Sequence, residues 1–168
     1  MMMTPDQSIA YEFLGFGEDL KRIRSGEADS SDFVGVSGLA SLMQGLQTGS
    51  YMGRAIDLAT SPTVAIIDNE VKVYLQATYC GDINSRLSWL TKKATEAHAY
   101  MYFLEVREQV LEDLARAPSL TAVAARLQGE AVDVEAGKYS LRDLQNVVIE
   151  IGAKMDSYLN SENTSALA

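Results

Sequence analysis

Residues 82–115 read DINSRLSWLTKKATEAHAYMYFLEVREQVLEDLA, and this stretch decides the fold that the sequence predicts. Its apolar residues recur at alternating steps of four and three, interrupted at Glu108; they are Ile83, Leu87, Leu90, Ala94, Ala97, Met101, Leu104, Leu111 and Ala115. This spacing is typical of a heptad seam, along which one helix packs against another over many turns. At about 1.5 Å per residue the predicted helix is roughly 50 Å long. A second apolar face begins at Tyr100 and predicts a second neighbour for this half.

A second segment repeats the same period later in the chain. It begins with Ser140-Leu-Arg-Asp143, a spacing that predicts a capping box at a helix start. The apolar positions behind it are Leu141, Leu144, Val148, Ile151, Met155 and Tyr158. Two seams of equal period on separated segments predict an antiparallel helical hairpin.

The region between the two seams is predicted to be interrupted. Pro118 should stop the long helix, and Ser119 should cap a short helix that runs through Leu127 and ends at Gly129. Residues 130–137 are acidic and contain two valines, so a loop or a short extended segment is expected there.

The N-terminal part predicts an amphipathic helix. Thr4-Pro5 supplies a capping hydroxyl and a proline at the first helical position, and Ser25-Gly26 should end the helix. The apolar residues Ile9, Phe13, Phe16, Leu20 and Ile23 share one face. Residues 27–32 are expected to form a solvated loop. The alternative to a peripheral helix is a tail that becomes ordered only on assembly.

Two further segments leave alternatives open. Gly45, Gly49 and Gly53 form a small-residue stripe if residues 34–60 are helical, but glycines in loops are equally consistent. Residues 63–75 contain many β-branched residues and could form a short β-hairpin. They could also belong to a helix running from Pro62 to Gly81, with Val64, Ile67, Val71, Tyr74 and Thr78 on one face. We favour the helix, because it would precede the long helix directly.

The predicted fold is therefore mainly α: a long antiparallel, coiled-coil-like helical hairpin with smaller N-terminal helices. We divide the chain into an N-terminal helical and glycine-rich segment, 1–60, and a hairpin domain, 61–168. The chain has 168 residues, of which 47% are apolar, and this is enough for a hydrophobic core.

Charge and composition exclude several classes of function. The formal net charge is −9, which argues against nucleic acid or an anionic membrane as a partner. No apolar run is long enough for a membrane span, and the N-terminus lacks the features of a Sec signal peptide. Cys80 is the single cysteine, so an internal disulfide is excluded.

The sequence offers no recognisable catalytic set. His98 is the single histidine, and Cys80 lies 18 positions before it, on a different predicted element. One imidazole and one thiol do not make a usual zinc site, and no phosphate-binding glycine loop occurs. We expect His98 to be a surface or partly buried imidazole, and we expect no enzymatic activity, no catalytic residue, no metal and no cofactor.

The segment AGKYSLRDLQNVVIEIGAKMDSYLNSENT (136–164) resembles a stretch near the C-terminal helix of type III secretion needle-tip and filament proteins. The turn is matched by Gly137-Lys138 and the Leu-Gln pair by Leu144-Gln145. INSRLSWLT (83–91) is similar to the helix that opposes it. In that family the terminal helix is usually much longer. The resemblance implies a bacterial, extracellular, structural role, with subunits stacked by coiled-coil packing and exported by a Sec-independent route.

From these observations we expect a self-associating structural protein, a homo-oligomer or a filament. The alternatives are an acidic cytoplasmic adaptor or chaperone that binds a helix of another protein, and a phage structural or accessory protein. The residues predicted to make the interaction are Ile83, Leu87, Leu90, Met101, Leu104, Leu141, Leu144, Val148, Ile151 and Met155.

Overall fold

The computed structural model describes residues 3–76, 81–116 and 121–167. Within them the elements are α1 (Pro5–Arg24), a 3-10 helix (Ser30–Asp32), α2 (Val36–Gln47), β1 (Ser50–Tyr51), β2 (Arg54–Ala55), α3 (Pro62–Leu75), α4 (Ile83–Arg116) and α5 (Thr121–Leu167). The prediction of a mainly α fold is confirmed. Among the described helices, none combines the length and the apolar composition that crossing a bilayer requires.

The two long helices, α4 and α5, pack side by side in opposite directions. The Ser140 hydroxyl donates a hydrogen bond to Glu96 Oε2 (2.6 Å), and Lys93 Nζ lies 3.6 Å from Asp143 Oδ2. As the residue number increases along α5, the number of its partner on α4 decreases, so the two helices are antiparallel. The helical hairpin is present, whereas coiled-coil geometry within it stays a prediction.

Helix α1 packs against α5, and two glycines allow the two backbones to approach closely. A Cβ built on Gly17 would be 3.4 Å from Gly152 Cα and 3.2 Å from the carbonyl oxygen of Val148. Farther along, Arg24 Nη2 donates a hydrogen bond to Asn146 Oδ1. The two helices run antiparallel, and the small residues allow their backbones to approach.

One hydrophobic cluster joins both parts of the chain. It contains Phe13 and Leu20 of α1 and Met43 of α2, together with Leu87 of α4 and Ile151 of α5, all fully buried. The division into segments 1–60 and 61–168 is untested and stays a prediction.

The predicted start and end of α1 are confirmed. Thr4 Oγ1 accepts a hydrogen bond from the backbone N–H of Gln7 (3.1 Å), the Gln7 side chain accepts one from Thr4 N (3.0 Å), and Pro5 is the first helical residue. Ser25 is the C-terminal cap, and Gly26 follows with a φ of +81°.

Residues 63–75 are helical, so the alternative of a β-hairpin there was wrong. Ser61 Oγ accepts a hydrogen bond from the backbone N–H of Val64 (3.3 Å), and Pro62 is the first residue of α3. Burial of Val64, Ile67 and Val71 on the core side outweighs the strand preference of β-branched residues. The helix ends at Leu75, before the predicted Gly81, because Gln76 has a φ of +51°; Thr78 and Cys80 lie outside the described residues.

A β-hairpin does occur, but at residues 50–55. Ser50 pairs with Ala55 and Tyr51 with Arg54, and Met52-Gly53 forms the turn with φ values of +49° and +77°. Positive φ at both turn residues is typical of a type I′ turn. Gly49 also has a positive φ, of +79°. The helical stripe of Gly45, Gly49 and Gly53 was therefore wrong, and the loop alternative was right for the last two.

The predicted helix end at Gly129 and the predicted loop or extended segment at residues 130–137 were also wrong, because α5 runs through both. Gly137 and Lys138, which the resemblance matches to a turn, lie within α5, so that turn was wrong. Gly137 lets α5 approach α4, since a Cβ there would lie only 2.9 Å from the Glu96 carbonyl oxygen. Ser140 is fully buried in mid-helix and donates to Glu96, so its motif is not a capping box. Pro118 and Ser119, predicted as helix stop and cap, lie outside the described residues.

Candidate functional site

The predicted interaction residues lie mostly inside the molecule. Leu87, Leu90, Met101, Leu141, Leu144, Val148, Ile151 and Met155 are buried, and Ile83 and Leu104 are half-buried. These residues hold the helices of one chain together. A charged substitution at any of the buried ones would test folding and not assembly, so a surface for a partner must lie elsewhere.

His98 is exposed on α4, as the sequence predicts, and Cys80 lies outside the described residues. Among the residues that the structure describes, no three His, Cys, Asp or Glu side chains are placed to share a metal ion. The expectation of a non-enzymatic protein stays a prediction.

A groove of about 510 Å³ opens between residues 32–37 and the middle of α4. Its apolar lining consists of Phe33, Val34, Val36, Met101 and Tyr102, and its polar lining of Asp32, Ser37, His98, Glu105 and Glu108. We call it the acidic groove. Sequence reasoning missed it, because residues 27–32 were interpreted only as a solvated loop.

The segment that carries Val34 is fixed to the hydrophobic core by buried residues on both sides of Val34. Phe33 is fully buried, and its ring meets the Phe16 ring edge to face, with centroids 6.4 Å apart. Val36 begins α2 and is buried as well. Val34, between these two anchors, is 85% exposed, and Tyr102 on the opposite wall is 52% exposed. The fold therefore holds two large apolar side chains at the rim of the groove, facing solvent.

The carboxylates of the acidic groove have little local compensation. The ion pairs of the described side chains are Lys21–Glu18, Arg86–Asp68 and Lys93–Asp143, and none of them includes a groove carboxylate. The described residues that line the groove include no lysine or arginine. The groove therefore has a negative potential that a cation could neutralise.

A second groove, of about 420 Å³, lies on the other flank of α4. It is lined by Asp29, Ser30, Tyr100, Leu104, Arg107, Glu108 and Leu111, so Glu108 borders both grooves. Leu111 is 52% exposed here. This flank carries a cation, Arg107, which the acidic groove lacks, so the two flanks differ in charge.

The outer half of the hairpin extends past the main core. The main cluster includes Met101 as its last residue on α4 and Leu141 as its first described residue on α5. We call residues 102–116 and 121–136 the hairpin arm. Val110 in this arm is buried, at 7% exposure, but is not part of the main cluster.

Polar contacts at the other end of the helices fix their relative positions. The Tyr74 hydroxyl donates a hydrogen bond to Asp143, and burial together with this carboxylate raises the pKa of Tyr74. The Tyr74 ring also lies 5.7 Å from the Trp89 ring, centroid to centroid, and Lys93 Nζ is 5.9 Å from the Trp89 centroid. This junction ties α3, α4 and α5 together away from both grooves.

No protein-family model matches the chain, and no curated protein or solved structure matches it either.

Proposed function

We propose that the chain is a non-enzymatic assembly protein that associates with copies of itself through the Leu111 flank of the hairpin arm. The expected setting is a bacterial secretion-system tip or filament, reached by a Sec-independent route, as the resemblance of residues 136–164 implies. The bound surface in this proposal is distinct from the buried seam, which holds each subunit together.

The observation that carries the proposal is the distribution of apolar residues around the outer half of α4. Leu111 follows Tyr102 by nine positions, which at about 100° per residue places them on opposite sides of the helix. Val110, between them, is covered, and both flanking residues are half exposed. One neighbouring helix covers only a single stripe of roughly 100°, so a further helix is needed to cover Leu111.

A second copy can supply that helix. Two antiparallel hairpins that share their apolar flanks make a four-helix arrangement, the common way in which helical hairpins complete a core. Leu104 and Leu111 lie one above the other, seven positions apart, and would form the apolar centre of the contact. Because both copies are acidic, with a net charge of −9 each, salt should strengthen their association by screening repulsion.

The test is sedimentation velocity over a range of concentrations, with Leu111→Glu and the control Val73→Glu. Both positions are exposed, at 52% and 59%, but Val73 lies on α3, away from the arm. A buried charge without a partner disrupts an apolar contact, so Leu111→Glu should weaken association at least about tenfold and the control less than about twofold. Electron microscopy of the concentrated protein then distinguishes filaments from closed oligomers.

Two results would contradict the proposal. The first is a single monomeric species at every concentration up to about 1 mM, which corresponds to a binding free energy weaker than about −4 kcal/mol. The second is equal weakening by Leu111→Glu and Val73→Glu, which would mean that added negative charge, and not the loss of an apolar contact, controls association.

A further inference from the structure

The acidic groove, on the opposite flank of α4, has the dimensions and the walls of a binding site. Its volume of about 510 Å³ falls within the range of about 300–1,000 Å³ that ligand sites occupy. Buried Phe33 and Val36 fix one wall, while Val34 and Tyr102 stand exposed at its two rims. When another apolar group covers apolar side chains that the fold holds in solvent, the free energy of the system decreases, which favours binding.

The charge of the groove limits which kind of partner can bind over Val34 and Tyr102. Asp32, Glu105 and Glu108 contribute carboxylates, and among the described lining residues His98 is the one basic side chain. Asp32 is held in place because its Oδ2 accepts a hydrogen bond from the backbone N–H of Asp29 (2.8 Å). An occupant must therefore combine an apolar side chain for the interior with positive charge for the rim.

We propose that the acidic groove binds a basic amphipathic segment of a different protein, with an apolar side chain between Val34 and Tyr102 and Lys or Arg beside the carboxylates. A second copy of this chain is a poorer occupant, because its net charge of −9 would face a negative groove. The inference does not rest on self-association, since Leu111 belongs to the other flank.

The probe is a synthetic helical peptide of about 14 residues, built from Leu at i, i+3, i+4 and i+7 and Lys elsewhere, with a fluorophore for anisotropy. A matched peptide replaces every Lys by Glu. The protein variants are Glu105→Lys at the groove and Glu150→Lys as control, because Glu150 is exposed on α5, does not line the groove and undergoes the same change of charge. Val34→Asp and Val73→Asp form a second pair, which tests the apolar contact.

The Lys peptide should bind saturably and the Glu peptide should not. Glu105→Lys and Val34→Asp should each weaken binding at least about tenfold, whereas Glu150→Lys and Val73→Asp should change it less than about threefold. Raising the salt from about 0.05 M to about 0.5 M should weaken binding, the opposite of its effect on self-association. Leu111→Glu should leave peptide binding unchanged.

The inference is overturned if the Lys peptide does not bind at low salt. Equal losses from Glu105→Lys and Glu150→Lys would also overturn it, since they would show attraction to the whole acidic surface. Unchanged binding by Val34→Asp would exclude the apolar contact and with it the proposed site. If Glu105→Lys changes sedimentation instead of peptide binding, the groove is a contact between copies. Circular dichroism of each variant confirms that it is folded.

Discussion

The close approach of α1 and α5 can be tested with two glycines of the same helix. Gly15 and Gly17 both lie within α1, but a Cβ at position 15 meets nothing within 4 Å, whereas at position 17 it meets the Val148 carbonyl oxygen at 3.2 Å. In a helix interior, alanine is favoured over glycine by about 1 kcal/mol. Gly15→Ala should therefore stabilise the protein by up to about 1 kcal/mol.

Gly17→Ala gains the same helix propensity but must push two backbones apart. Neither the Val148 carbonyl oxygen nor Gly152 Cα, 3.4 Å from the added carbon, can rotate away as a side-chain end could. Overpacking of this kind costs about 1–3 kcal/mol, so the net effect should be a loss of about 0–2 kcal/mol. The two variants should differ by about 1–3 kcal/mol in the free energy of unfolding.

Urea unfolding followed by circular dichroism measures this difference. With a slope of about 1–3 kcal/mol per molar urea, a difference of 2 kcal/mol moves the midpoint by roughly 0.7–2 M. Gly152→Ala, whose Cβ would be 3.1 Å from the Phe13 carbonyl oxygen, should combine with Gly17→Ala less than additively, because one shift of α1 relieves both contacts. If Gly17→Ala stabilises the protein as much as Gly15→Ala does, α1 does not pack on α5 at this distance.

Two other contacts give predictions for unfolding measurements. Burial, assisted by the hydrogen bond to Glu12, raises the pKa of Tyr51 from 10.0 to about 12. Above pH 10 the hydroxyl of Tyr51 loses its proton in the unfolded state before it does in the folded state. The free energy of unfolding should therefore fall by about 2 kcal/mol between pH 10 and 12, and Tyr51→Phe should not show this loss. If the urea midpoints of the two proteins change equally with pH, the prediction is wrong. Asp6 Oδ1 accepts hydrogen bonds from the hydroxyls of Ser61 (2.5 Å) and Thr63 (2.7 Å). Asp6→Ala should therefore lower the free energy of unfolding, measured in urea, by about 1–3 kcal/mol, and Asp6→Asn should lower it less. An equal loss in both variants would show that the charge of Asp6 stabilises the fold, and not its hydrogen bonds.

The helices that local chemistry specifies were predictable from the sequence. The cap at Thr4, the proline at position 5 and the four-three spacing placed α1 correctly. The heptad spacing predicted a helix over residues 82–115, and α4 spans Ile83–Arg116. In these segments the caps, the period and the burial all favour the same structure, so tertiary packing did not have to override any local preference.

The errors lie where tertiary contacts override local signals. Gly129 and Gly137 indicated a break, but α5 continues through both, and Gly137 allows the close approach of α5 to Tyr100. Ser140 indicated a helix start, but its hydroxyl is buried against Glu96. A glycine or serine that a neighbouring helix requires is indistinguishable, in one sequence, from one that ends a helix.

The acidic groove could not be predicted, because its walls come from residues 32–37 and 98–108, which no local pattern connects. The one available signal was the pair Phe33-Val34 directly after a polar stretch, since a solvated loop seldom ends in two large apolar residues. The charge of the groove was foreseeable only as part of the overall acidity of the chain.

The docking of α1 on α5 also affects the protein while the ribosome is still making it. Arg24 and its partner Asn146 are separated by 122 positions, which at about 5–20 residues per second means roughly 6–24 s of translation. Throughout that interval α1, with its buried residues Ile9, Phe13 and Leu20, lacks α5, the helix that it contacts most in the folded protein. Helix α1, one of the first elements to be made, can therefore complete its packing only after most of α5 has been synthesised.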